Sequence, residues 1–69
     1  MESGRSYSIS GREVVVQEED DGWLVRAGGK QARHRYLDRA LAAALGVSSL
    51  TATELAAAIL QRPEGGRLG

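Results

Sequence analysis

The 69-residue chain predicts an α+β fold: a four-stranded antiparallel meander sheet with two C-terminal helices on one face. Three observations predict it. Three turn signals, Gly11-Arg12, Asp20-Asp21-Gly22 and Gly28-Gly29, separate short alternating segments in the first half. The strand registers set by those turns agree on which side chains share a face. The second half replaces the two-residue period with leucines four apart and alanine runs.

The first strand is expected to end near Ile9 and to return through Gly11-Arg12, pairing Ile9 with Val14 and Tyr7 with Val16. With Asp20-Asp21 as the next loop, Val16 faces Val25 and Glu18 faces Trp23. Gly28-Gly29 suits a two-residue primed turn, which needs positive φ. It pairs Ala27 with Lys30, Val25 with Ala32 and Trp23 with His34. One face then collects Tyr7, Ile9, Val14, Val16, Trp23, Val25, Ala32 and His34. The other collects Ser8, Val15, Gln17, Leu24, Arg26, Gln31, Arg33 and Arg35. A one-residue slip at any turn would mix the two sets. The apolar set therefore faces the helices and the arginine-bearing set faces water.

Asp38 is expected to cap a helix over residues 39–45, with Leu37 as a staple and Gly46 as the stop. Leu37, Leu41 and Leu45 form its apolar stripe. Thr51-x-x-Glu54 reads as a capping box for the second helix, with Leu50 and Leu55 at the staple positions. Leu55, Ala56, Ile59 and Leu60 are its expected buried stripe. Pro63 ends it, because the residue before a proline is pushed out of α geometry. Residues 1–63 thus read as one domain, and residues 64–69 as a disordered tail.

Composition narrows the function classes. Nine Lys plus Arg balance nine Asp plus Glu, and cysteine is absent. Disulfides, thiol catalysis and zinc-thiolate sites are excluded together. No apolar run reaches 18 residues, and the N-terminus MESGRSYSIS has no apolar signal region. A cytoplasmic location is the expectation, and the richness in Ala, Gly and Arg suggests a GC-rich bacterial source. Ten of the apolar residues are alanine, with one Trp, two Tyr and no Phe. So small a domain buries a limited fraction of its surface, so a homodimer or a larger protein partner is expected. The runs Ala42–Ala44 and Ala56–Ala58 favour helix and permit a helix–helix contact across such a dimer.

Charge is unevenly arranged. Residues 1–22 carry six acids and two arginines, net −4, and residues 23–39 carry net +4. Opposite charges on facing strands stabilise a sheet. Alternatively, Arg26, Arg33 and Arg35, with Lys30 and Arg39, offer phosphate or carboxylate partners a basic patch. The same face lacks the aromatic residues of a single-strand-binding sheet.

No catalytic constellation emerges. His34, the single histidine, falls beside Trp23 with no nucleophile or orienting acid evident. Glu18-Glu19-Asp20-Asp21 lacks the alternating ligand spacing of a calcium loop and reads as a solvated turn. Gly28-Gly29-Lys30 lacks the strand–loop–helix context of a phosphate loop. Trp23 is expected to anchor the core. Catalytic, cofactor and metal sites are all expected to be absent. The expected function is a non-enzymatic, self-associating protein–protein interaction module. Its surface is Val15, Leu24, Arg26, Arg33 and Arg35, or the alanine-rich flank of the helices. The alternative is a small nucleic-acid-binding accessory protein using those arginines.

The stretch Gly22-Trp23-Leu24-Val25, then Gly29-Lys30-Gln31-Ala32, then Tyr36-Leu37-Asp38-Arg39-Ala40-Leu41 has a recurring layout. Over residues 22–45 it resembles small bacterial ββα domains. These are the HicB-like antitoxin domain and uncharacterised short proteins with a G-W-x-V strand. The first resemblance implies toxin neutralisation and self-association. It carries no functional residue onto this chain.

Overall fold

A computed structural model describes residues 4–68. The expected domain start at residues 1–3 and Gly69 of the tail lie outside the described residues. Five strands form one sheet: β1 (Gly4–Ile9), β2 (Arg12–Glu19), β3 (Gly22–Ala27), β4 (Lys30–His34) and β5 (Gly66–Leu68). Two helices, α1 (Leu37–Leu45) and α2 (Ser49–Gln61), lie between β4 and β5 in the chain. The spatial order is β4-β3-β2-β1-β5. The first four strands form the predicted antiparallel meander.

The two later hairpins have the predicted registers: Val16 faces Val25, Glu18 faces Trp23, Val25 faces Ala32 and Trp23 faces His34. The first hairpin differs. Tyr7 faces Val14 and Ile9 faces Arg12, because the turn is Ser10-Gly11 rather than Gly11-Arg12. Ser10 and Gly11 both have positive φ, 54° and 77°, the combination that a type I′ hairpin turn requires. The register moves by two residues, and a two-residue shift keeps every side chain on its original face.

Tyr7, Ile9, Val14, Val16 and Val25 are buried on the helix-covered face. Trp23 and Ala32 are partly buried and pack against this cluster. His34 shares their side of the sheet but is exposed near the end of β4. Strand β3 passes very close to β4 at Gly22. A Cβ there would lie 2.3 Å from the His34 carbonyl oxygen, so the approach depends on the missing side chain.

Helix α1 packs against β3 and β4, and α2 packs beside α1. Leu37 and Leu41 are buried and Leu45 is partly so, as the leucine stripe predicts. The cap is different: Tyr36 occupies the N-cap with extended backbone and no side-chain bond, and Leu37 is already helical. Asp38 lies in the first turn, where its carboxylate favours the positive end of the helix dipole. Gly46 closes the helix in the left-handed conformation, φ 70°, its N–H donating to the Ala42 carbonyl.

Helix α2 also starts before its predicted cap. Ser48 is the N-cap, its Oγ accepting from the Thr51 N–H at 3.2 Å. The Ala52 N–H donates to the Ser48 carbonyl at 2.9 Å. Starting at Ser48 adds most of a turn, and each added residue gains a backbone bond. Thr51 and Glu54 therefore lie inside the helix and do not form the capping box. The buried residues are Ala52, Ala56 and Ile59, with Leu55 and Ala58 partly buried. Leu50 and Leu60 correct the expected staple and stripe: both are exposed. The helix stops at Gln61, just before Arg62-Pro63, as predicted.

The expected disordered tail is replaced by structure through residue 68. Gly66–Leu68 runs parallel to β1, with Leu68 beside Ile9, and Leu68 is buried. Two features admit this strand. A Cβ on Gly65, at φ 89°, would lie 2.5 Å from the Ser6 carbonyl oxygen, so the glycine permits close passage of the chain. The Tyr7 hydroxyl donates to the Arg62 carbonyl at 2.5 Å, with the Ile59 carbonyl 3.3 Å away. The Arg62 carbonyl also accepts from the Gly65 N–H at 3.1 Å, so the hydroxyl ties β1 to the turn that follows α2.

Candidate protein-interaction surface

The fold presents two outward surfaces, the helix-free face of the sheet and the outer side of the helices. The sheet face carries four of the five sequence-predicted interaction residues. Alternation along β2, β3 and β4 puts Val15, Leu24, Arg26 and Arg33 on it, while Arg35 lies in the bend after β4 and is not placed on this face by the strand register. Val15 stands directly opposite Arg26, and Leu24 opposite Arg33. These four are brought together on one face, but they are not equally available.

Leu24 is only 6% exposed, so it offers a partner almost no area. Its neighbours across the strands are Gln17 and Arg33. The Arg33 Nε donates to the Glu19 carboxylate at 2.8 Å, with a second contact at 3.4 Å. This ion pair reaches from β4 to β2 across β3, where Gly22 has no side chain to obstruct it. An arginine stem held in this way covers apolar surface beneath it, which accounts for the burial of Leu24. Val15 is half-buried, while Arg26 and Arg35 are exposed.

The net −4 and net +4 segments thus meet partly within the sheet. Glu19 neutralises Arg33, and on the opposite face Glu18 lies 4.0 Å from Arg5. Among the described residues, Arg26 and Arg35 make no ion pair. Val15 and Arg26 line a shallow depression of about 330 Å³ with Arg12, Glu13 and Gly28. The surface is mixed in charge, with little exposed apolar area. Among the described residues, no three of His, Asp and Glu gather at metal-binding distance. No helix of the described residues is long and apolar enough to cross a membrane.

The outer side of the helices has the opposite character. Leu50 is 72% exposed and Leu60 58%, and both project from α2. Glu54 is the one ionisable residue in this 13-residue helix. At 3.6 residues per turn, Leu50, Thr53, Ala57 and Leu60 fall within an arc of about 80°. All four are exposed. Their stripe is centred about 110° round the helix from the buried Ala52, Ala56 and Ile59, so α2 carries apolar residues outside as well as inside. Sequence reasoning offered the alanine-rich helix flank as an alternative surface but missed its leucines, placing Leu60 in the buried stripe and Leu50 at a staple position. Ala56 and Ile59 are buried as expected, but the small Ala52 is buried in place of Leu60, leaving Leu50 and Leu60 outside. The signal was present in the composition: eight of the 13 residues of α2 are apolar, more than the single buried face of a surface helix takes up.

At the N-cap of α1, Tyr36 is 55% exposed. The Arg39 guanidinium carbon lies 5.8 Å from the centre of its ring, a cation–π arrangement that holds the two together at the start of α1. No family model, curated protein or solved structure matches the chain.

Proposed function

We propose that the protein is a non-enzymatic protein–protein interaction module that self-associates through the outer side of its helices. One observation carries this reading: α2 leaves Leu50 and Leu60 largely in water on a helix with a single ionisable residue. An exposed apolar stripe on a small domain favours association. The expected sheet surface is less suited, because Leu24 lies beneath the Arg33–Glu19 pair.

A second copy fits the available area. The molecule measures 28 × 23 × 22 Å and has 4639 Å² of accessible surface. One side of such a body carries roughly a sixth of that area. This comes close to the ~800 Å² per partner of a standard interface. Covering that side also extends the limited core of a chain with ten alanines.

Sedimentation equilibrium of the full chain across the micromolar range tests the proposal. The expected species has twice the 7.4 kDa chain mass. Combined Leu50→Glu and Leu60→Glu substitutions should return it to a monomer with unchanged far-UV circular dichroism. Combined Arg26→Glu and Arg35→Glu substitutions should leave the dimer intact. A parent chain that stays monomeric throughout, or a dimer that survives both leucine substitutions, overturns the proposal. So does salt-sensitive nucleic-acid retention abolished by the arginine substitutions, which would assign the function to the sheet face.

A further inference from the structure

We infer that two copies pair through antiparallel α2 helices about a two-fold axis level with Leu55. This deepens the self-association reading and rests on it. Leu50 and Leu60 are equidistant in sequence from residue 55, and so are Thr53 and Ala57. An antiparallel two-fold therefore sets Leu50 of each chain against Leu60 of the other, and Thr53 against Ala57. A two-fold interface must be self-complementary in this way, with each residue's contact returned by the second copy.

The side-chain sizes suit the pairing. The small Thr53 and Ala57 lie near the axis, where crossing helices approach most closely, and larger leucines flank them. Helix axes approach to 8–10 Å, according to the side chains at the contact. Antiparallel alignment also sets the positive N-terminal end of each helix beside the negative C-terminal end of the other. A parallel pair would align like ends and set each leucine against its own counterpart. The 13 residues of α2 span about 20 Å, roughly the width of the molecule. The stripe therefore crosses most of that width.

The chain has no cysteine, so introduced thiols report the pairing directly. Leu50→Cys and Leu60→Cys chains are prepared separately, one labelled with nitrogen-15, then mixed and oxidised gently. The label distinguishes the three possible disulfide products by mass. In the antiparallel pair, Leu50 and its own counterpart lie about 15 Å apart along the axis, beyond disulfide reach. The mixed product should therefore exceed either homodimer several-fold. Thr53→Cys mixed with Ala57→Cys repeats the test nearer the axis, guarding against weakened association at the leucine positions.

A parent chain that sediments as a dimer but yields the random product mixture in both experiments overturns the antiparallel register alone. Predominant Leu50→Cys homodimers overturn it in favour of a parallel pair. A parent chain that remains monomeric overturns both the register and the self-association on which it rests.

Discussion

A single missing side chain at Gly22 sets how closely β3 and β4 pack. A methyl group there would lie 2.3 Å from the His34 carbonyl oxygen and 2.7 Å from the Arg35 Cα. These are backbone atoms, so a rotamer change cannot relieve the clash. Gly22→Ala is expected to cost on the order of 3 kcal/mol, toward the upper end for a single substitution. Gly29→Ala, in the adjacent turn, meets nothing within 4 Å and should stay within about 0.5 kcal/mol of the parent. Urea denaturation of the two variants checks the contrast, with midpoints compared at equal slope. Sequence alone identified Gly22 as part of a turn, but not its approach to another strand. That distance depends on the closed sheet. Leu24 shows the same limit: alternation assigned its face correctly, but its burial depends on an ion pair reaching across a whole strand.

At the scale of elements, local chemistry was legible wherever it was unambiguous. Gly28-Gly29 and Asp20-Asp21 fixed their hairpins, and Gly46 ended α1 as its conformational freedom predicts. Two signals competed at the start of α2, and the longer helix prevailed. Ser48 has an oxygen near a free backbone N–H, as Thr51 would have done three residues later. Ser48→Ala should therefore cost about 1 kcal/mol through the lost cap. Glu54→Gln should have little effect on stability, since the predicted capping box does not form. Thermal melts of these variants in a background made monomeric by Leu50→Glu and Leu60→Glu separate capping from association. The tail was less legible because its pairing is non-local. Two glycines and a lone leucine resemble a frayed end until β1 is in place beside them. Gly65 then clears the Ser6 carbonyl, and Leu68 fills the space next to Ile9.

For the whole molecule, the sidedness of the sheet was the most secure inference from sequence, because even the displaced first hairpin preserved it. The side proposed to meet a second copy was less evident. It depends on which residues of α2 face inward, and that is settled by packing against α1 rather than by hydrophobicity alone. Burying the alanines brings the helix close and leaves two leucines outside. If a second copy covers those leucines, folding and association are linked. In the strongly dimeric regime, tenfold more protein raises the free monomer about 3.2-fold, which adds about 0.7 kcal/mol of apparent stability per chain. For a domain of this size, that corresponds to a Tm increase of roughly 3–5 °C per tenfold concentration. Calorimetry across two decades of concentration should show this slope for the parent. The Leu50→Glu and Leu60→Glu chain should melt at one temperature throughout, near the dilute limit of the parent. A flat parent Tm at concentrations where sedimentation shows a dimer would mean that the contact survives unfolding. Such a contact could not be the packed helix pair inferred here, because that pair exists only when α2 is folded.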